Sequence, residues 1–244
     1  MNNKKSFKLS IIIPCFNEKK TLVHLVDKVI SSLKNYGYDF FELIIVDDCS
    51  TDGTKELIKE NFVLKKNFKT FFHDKNMGKG AAIKTAKNFL SGDIIIIQDA
   101  DLEYDPYDYK KLLEPILSNK AKVVYGSRVL NQNRYETSGF TSKIRIFGNH
   151  SLTIISNFLN NQKLTDAHTC YKVFKKDILK KIKLEENGFS FCPELTTKIG
   201  LINEEIFEVS IRYKGRSYGE GKKINFKDGI DAIITLIYYK YFNK

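Results

Sequence analysis

The sequence predicts an α/β fold, a mainly parallel sheet flanked by helices, and three observations predict it. Short β-branched runs alternate with segments of helical periodicity as far as residue 128. The run Ile94–Ile97 is apolar at every position, as in a strand buried on both faces of a sheet. Two of the runs end abruptly in acid: Asp47 and Asp48 follow residues 41–46, and Asp99, Asp101, Glu103 and Asp105 follow residues 94–97. Open α/β sheets bind ligands in the crevice beyond the carboxyl ends of their strands. The stretches that define the fold therefore also deliver the candidate site.

Taken in order, residues 7–14 (FKLSIIIP) form the first strand. Asn17 and Glu18 open a helix with the apolar stripe Leu22, Leu25, Val26, Val29, Ile30 and Leu33, and Gly37 follows its end. Residues 41–46 are the second strand, and CSTDGT (49–54) supplies turn and cap chemistry before a helix near Lys55. Residues 68–72 make a short third strand. NMGKG (76–80) leads into a helix with Ala82, Ile83, Ala86, Phe89 and Leu90 inward. After the acid-ended strand, residues 122–125 are the fifth, closed by Gly126, Ser127 and Arg128. Alternation of this kind implies right-handed βαβ units. Residues 131–141 are polar and read as a loop, and 143–159 as a helix carrying Arg145. LTDAHTCYKVF (164–174) is a turn, with Asp166 and His168, leading into a half-buried strand; a lone His is usually structural. Residues 188–200 place Glu194 at a helix start, where the dipole favours it. Residues 206–226 give a strand and then a Gly-rich basic segment.

The 244 residues, 42% of them hydrophobic, suit one large domain or a domain with a small appendage. Forty Lys and Arg against 29 Asp and Glu leave a net charge of +11, which favours an anionic or phosphate-bearing partner. No base-reading module or basic stripe with interleaved aromatics is present, so nucleic acid is not expected. Cys15, Cys49, Cys170 and Cys192 form no C-x-x-C pattern and read as reduced thiols of a cytosolic protein. The amino-terminal apolar run is broken by Pro14, too soon for a signal peptide. No run reaches the roughly 18 apolar residues of a spanning helix. Dinucleotide and P-loop glycine patterns are not matched. NMGKG is then a helix start with close backbone approach, or one whose Lys79 also faces a nucleotide.

Asp99 and Asp101 reach one point only if the strand has ended or bent between them. Carboxylates sharing a small space repel unless a cation sits between them, and hard oxygens suit Mg2+ or Mn2+. The bland alternative is a solvated acidic loop.

SIIIPCFNE, LIIVDDCSTDGT, NMGKGAA, DADLEYDP, GSR, TDAHTCYK and RSYGEGKK occur in this order. Together they resemble glycosyltransferase family 2 enzymes of the dolichol-phosphate mannosyltransferase type, over nearly the whole chain. The resemblance implies a GT-A domain over residues 1–224 and a nucleotide-sugar donor, GDP- or UDP-hexose with mannose or glucose as the sugar. It implies a polyprenyl or dolichyl phosphate acceptor. Base and ribose contacts fall on Pro14, Phe16, Glu18 and Asp47 or Asp48; relatives often have Tyr where Phe16 stands. The D-x-D of Asp99, Ala100 and Asp101 implies metal and diphosphate binding, with Glu103 a further oxygen ligand where relatives often carry Gln. Arg128, Arg216 and Lys222 fall where the family contacts donor or phosphate, and Arg145 in its acceptor-phosphate region. Asp101, Arg128 and Arg216 are the residues expected to carry catalysis.

The implied reaction is one in-line displacement at the anomeric carbon, with inversion. A phosphate acceptor is largely ionised at neutral pH, its second pKa being about 6, and needs little help from a base. A sugar hydroxyl would need one, and Asp166 is then the acceptor-side candidate. Residues 225–244 carry a helical stripe of Phe226, Ile230, Ile233, Ile234, Ile237 and Tyr241. This reads as an amphipathic helix lying on a membrane, with the protein peripheral to the cytoplasmic face. Packing on the core or on a second copy in a homo-oligomer is the alternative. Two other functions stay open: sugar transfer to a hydroxyl acceptor, and a non-catalytic nucleotide-sugar or nucleic-acid binding module, against which the intact D-x-D argues.

Overall fold

The structure, a computed structural model, describes residues 7–130, 140–215 and 226–242. The elements run β1 (Leu9–Cys15), α1 (Leu22–Asn35), β2 (Phe41–Asp47), α2 (Thr54–Asn61), β3 (Phe68–Phe72), α3 (Lys79–Lys87) and β4 (Ile94–Ile97). A short 3-10 turn, Pro106–Asp108, precedes α4 (Tyr109–Leu117) and β5 (Val123–Ser127). There follow α5 (Phe140–Asn160), β6 (Lys172–Lys175), α6 (Lys176–Lys181), α7 (Phe191–Leu201), β7 (Ile206–Ser210) and α8 (Phe226–Tyr241). The expected loop at 131–141 lies mostly outside the described residues.

The seven strands form one sheet in the order β3-β2-β1-β4-β6-β5-β7. Four of its six pairings are parallel and two, both made by β6, are antiparallel. From β1 the chain first builds outward through β2 and β3, then returns to place β4 on the other flank of β1. That reversal opens a crevice at the carboxyl ends of β1 and β4. The sheet is covered on both faces, so β1 can be apolar at nearly every position. Ile11 and Ile13 pack with Leu25 and Val29 of α1 and Leu112 of α4. Ile12, one residue out of phase, packs with Ala82 and Ile83 of α3 and Leu195 of α7.

β6 corrects the sequence reading. It is not half-buried but enclosed between β4 and β5, and Lys172 within it is fully buried. The Lys172 ammonium donates to the Ala167 carbonyl at 3.1 Å and lies 3.5 Å from the centre of the Tyr125 ring. Burial pushes its pKa down to about 8. A lysine at this position signals an exposed face only if nothing waits to receive it.

α8 uses both of its faces. It packs on α5 and α7 through buried Ala232, Leu236 and Tyr239. Of the stripe read from the sequence, Ile230, Ile234, Ile237 and Tyr241 are exposed and Ile233 is half-buried, while the side chain of Phe226 lies outside the described residues. Among the described residues no helix is long and apolar enough to cross a membrane.

At the end of the sheet opposite the crevice, buried Glu42 of β2 joins four segments. Its carboxylate accepts from Ser10 Oγ at 2.5 Å, Ser91 N at 2.7 Å and Ser91 Oγ at 2.6 Å, and pairs with Lys69 Nζ at 2.9 Å. Burial alone would raise its pKa, but these donors outweigh it and hold the carboxyl well below the usual range. Glu42→Gln should cost about 1–3 kcal/mol in urea unfolding, the range for a buried group whose charge-assisted hydrogen bonds are weakened. With the folded pKa depressed, the contribution is full above the unfolded value of about 4.3 and is lost as pH falls below it. The gap between wild type and variant should therefore narrow below about pH 4.

Candidate active site

The crevice is built from four turns. Past β1, Asn17 adopts φ 56°; its N–H donates to Ser50 Oγ at 2.8 Å, and its side chain accepts from Thr51 N at 2.8 Å. The Glu18 N–H donates to Thr54 Oγ1 at 3.0 Å. These bonds lock Pro14, Phe16 and Glu18 beside the end of β2. There the two acids, which the sequence reading left as alternatives, differ. Asp48 accepts from His73 Nδ1 at 2.7 Å, Met77 N at 2.8 Å and Gly78 N at 2.6 Å. Its carboxylate fixes the NMGKG turn. Asp47 accepts from Ser50 N at 3.2 Å through one oxygen, and its other oxygen is buried without a hydrogen-bond partner.

The NMGKG glycines answer a close approach. Gly78 has φ 95°, and a Cβ there would lie 2.6 Å from the Asn187 carbonyl oxygen. A Cβ on Gly80 would overlap the Glu186 carbonyl oxygen. The 185–187 segment is held from behind: Glu194, fully buried, accepts the N–H groups of Glu185 and Glu186 at 2.6 and 3.0 Å, and Tyr239 of α8 donates to Glu186 at 3.1 Å. Glu194 thus serves this segment as well as the start of α7. Lys79, at the first position of α3, pairs with Asp99 and donates to Cys170 Sγ at 3.0 Å. Burial works against its charge, but Asp99 outweighs it and raises the pKa.

β4 ends at Ile97, and Gln98 fixes the acidic loop beyond it. Its carboxamide oxygen accepts from Tyr109 at 2.9 Å and Tyr171 at 2.6 Å, and its nitrogen donates to the Asp99 carbonyl at 3.1 Å. Buried Ala100 comes next. Asp101 Oδ1 accepts the Glu103 N–H at 3.1 Å across Leu102, which is forced to φ 63°. The chain bends here as the D-x-D spacing required. Asp99, Asp101 and Glu103 are not gathered into a ready-made cluster: among the described residues no three His, Cys, Asp or Glu side chains are grouped to hold a metal. Asp99 is engaged by Lys79, and Glu103 accepts from the Tyr213 hydroxyl at 2.8 Å. Oxygen donors of this kind fit Mg2+ or Mn2+ in the mode that uses one or two carboxylates and completes the shell with substrate phosphates.

Across the crevice, Arg128 leaves β5 and meets Asp166. Its Nε and Nη2 donate to the two carboxylate oxygens at 2.7 and 2.8 Å, and its backbone N–H adds a third bond at 3.1 Å. Burial would raise the Asp166 pKa, but Arg128 outweighs it and lowers it. Glu208 of β7 holds the turn from below, accepting from Thr165 N at 2.6 Å and Asp166 N at 2.9 Å. His168 beside it is pushed down to about 4 by burial and the nearby Lys172, so it is neutral at physiological pH. The side chain of Arg145 and the whole of Arg216 and Lys222 lie outside the described residues. Sequence reasoning passed over Gln98 and Tyr213; the one available signal was a polar residue ending an all-isoleucine strand.

The model of Glycosyl transferase family 2 matches residues 10–183. The chain belongs to glycosyl transferase family 2. This family 2 glycosyltransferase is 30% identical over 249 residues to the UDP-N-acetylglucosamine–dolichyl-phosphate N-acetylglucosaminyltransferase of Methanococcus voltae, across 94% of this chain and 95% of that protein. It is 28% identical over 219 residues to the dolichol-phosphate mannosyltransferase of Pyrococcus furiosus, across 89% of this chain and 60% of that protein. Among solved structures it resembles glucosyl-3-phosphoglycerate synthase from Mycobacterium tuberculosis in complex with Mn2+, UDP and phosphoglyceric acid. The TM-score is 0.67 at 18% identity, covering 98% of this chain and 80% of the other. At that identity the likeness speaks for the fold alone, and the expected GT-A fold is the one found.

Proposed function

We propose that this glycosyltransferase moves a hexose from a nucleotide-sugar, GDP- or UDP-linked, to the phosphate of a polyprenyl or dolichyl lipid, with inversion. One observation carries the choice of acceptor. Asp166, the base a hydroxyl acceptor would call on, has both oxygens engaged by Arg128 and a lowered pKa. A phosphate monoester needs no such base, since it arrives largely ionised. The names of the Methanococcus and Pyrococcus relatives support a dolichyl phosphate acceptor. Pro14, Phe16, Glu18 and Asp47 receive base and ribose, Asp47 through its unspent acceptor. Asp48 acts through the turn it fixes. Lys79 and Arg128 set positive charge where the leaving diphosphate develops its own; Arg216 and Lys222 are assigned to the same diphosphate, and Arg145 to the acceptor phosphate, on the family resemblance alone. Asp101, with Asp99 and Glu103, would hold Mg2+ or Mn2+, which supplies Lewis-acid stabilisation of the leaving group when bound.

The test is a donor panel of UDP-glucose, UDP-N-acetylglucosamine and GDP-mannose with purified protein, Mg2+ or Mn2+ and a short polyprenyl phosphate. One donor should give a lipid-linked sugar. Turnover only with a hydroxyl acceptor would replace this reading.

The lipid calls for a surface. α5 exposes Phe147, Ile154 and Phe158, and its neighbour α8 exposes Ile230, Ile234, Ile237 and Tyr241. We assign these helices to the bilayer interface, where the net charge of +11 favours anionic headgroups. The Ile234→Glu, Ile237→Glu double variant should lose flotation with anionic vesicles and keep its thermal midpoint, because those side chains are 59% and 42% exposed. Undiminished flotation would assign the stripe to another cover, such as a second copy.

A further inference from the structure

After β7 the chain does not leave the sheet edge freely but lies along the acidic loop. Arg212 N donates to Asp108 at 2.7 Å, and the Arg212 guanidinium pairs with Asp105 at 3.1 Å. Tyr213 forms an antiparallel bridge with Tyr104, and Lys214 N donates to the Glu103 carbonyl at 2.9 Å. Tyr213 is thereby set between the two arms of the crevice. Its hydroxyl donates to Glu103 at 2.8 Å. Its ring centre lies 5.1 Å from the Arg128 guanidinium and 5.2 Å from the ring of Tyr104. Arg128 is thus fixed in direction by Asp166 and lies against the Tyr213 ring.

We propose that Tyr213 is a positioning residue that sets the separation of the two halves of the site, holding Glu103 by its hydroxyl and Arg128 by its ring. The inference rests on the reading above, in which the acidic arm serves the cation and Arg128 sets positive charge at the leaving diphosphate. A hydroxyl that fixes one carboxylate oxygen orients the other, and loss of such an outer partner costs about 10- to 100-fold in metal affinity or activity. A ring beneath a guanidinium also keeps it from collapsing into the acid beside it.

The two contacts can be separated. Tyr213→Phe keeps the ring and removes the hydroxyl, whereas Tyr213→Leu removes both. Mn2+ affinity, read by electron paramagnetic resonance with UDP or GDP present and acceptor absent, should fall about tenfold in both variants. The donor KM at saturating Mn2+ should stay at the wild-type value in Tyr213→Phe and rise about tenfold in Tyr213→Leu. A residue that only packs would lower the thermal midpoint without dividing the two readouts in this way. Mn2+ affinity unchanged in Tyr213→Phe, or the same donor KM in both variants, overturns the proposal. Wild-type protein that binds no Mn2+ with either nucleotide overturns both this proposal and the metal-dependent reading beneath it.

Discussion

Asp101→Ala is expected to lower kcat/KM by about a hundredfold to a thousandfold, the range seen when one fixed stabiliser of transition-state charge is removed. The fold should survive. Asp101 lies past the end of β4, and the hydrogen bond its side chain accepts from the Glu103 N–H is worth about 1 kcal/mol. The loss should fall on turnover, because stabilisation of a charge that grows on the leaving group is realised in the transition state. Steady-state kinetics with Mg2+ and with Mn2+ check this, beside a thermal melt. Activity within about twofold of wild type would remove Asp101 from the mechanism, and full activity of the wild type in excess chelator would remove the metal.

Asp166→Asn should produce the largest change in stability. Asp166 is buried and ties Arg128 by two side-chain bonds and one backbone bond. Neutralising it leaves a guanidinium without its counter-charge, at a cost of about 3–5 kcal/mol. Activity should fall with any acceptor, since Arg128 loses its anchor. The same change read as loss of a base would spare a phosphate acceptor, so comparison of the two acceptor types separates an anchor from a base. A double-mutant cycle with Arg128→Met should be strongly non-additive. The pH dependence has a definite sign: with a lowered folded pKa, the contribution of Asp166 is complete above about pH 4 and is lost as pH falls. Asp166→Asn should therefore lose stability less steeply than wild type on acidification.

Much of this architecture was legible in the sequence because it is local. An all-isoleucine run that stops at Gln98 can only be a buried strand, and the acids beyond it had to lie at its carboxyl end. The glycines of NMGKG announced close backbone approach, and the 186–187 carbonyls provide it. What was hidden depends on partners far away in the chain. Asp166 looked like a candidate base until Arg128, 38 residues earlier, took both its oxygens. The strand within 164–174 read as half-buried because neither the Tyr125 ring that receives Lys172 nor the antiparallel neighbours that enclose the strand are adjacent in sequence. Tyr213 reaches Glu103 across 110 residues. The stripe on α8 was read correctly as a face, but helical period alone does not say that Leu236 and Tyr239 anchor the opposite side.

That anchoring governs how α8 can be manipulated. Tyr239 grips Glu186, and the residue after Glu186 sets the backbone against which Gly78 folds and Lys79 is presented to Asp99. α8 and the NMGKG turn are therefore one mechanical piece, joined through the short 185–187 segment. A chain ended at residue 224 to obtain a more tractable catalytic fragment would lose the Tyr239 support behind its own crevice, and any fall in activity would be mistaken for a need for lipid. Solubility is better sought by recharging the outer stripe, which leaves Tyr239 in place.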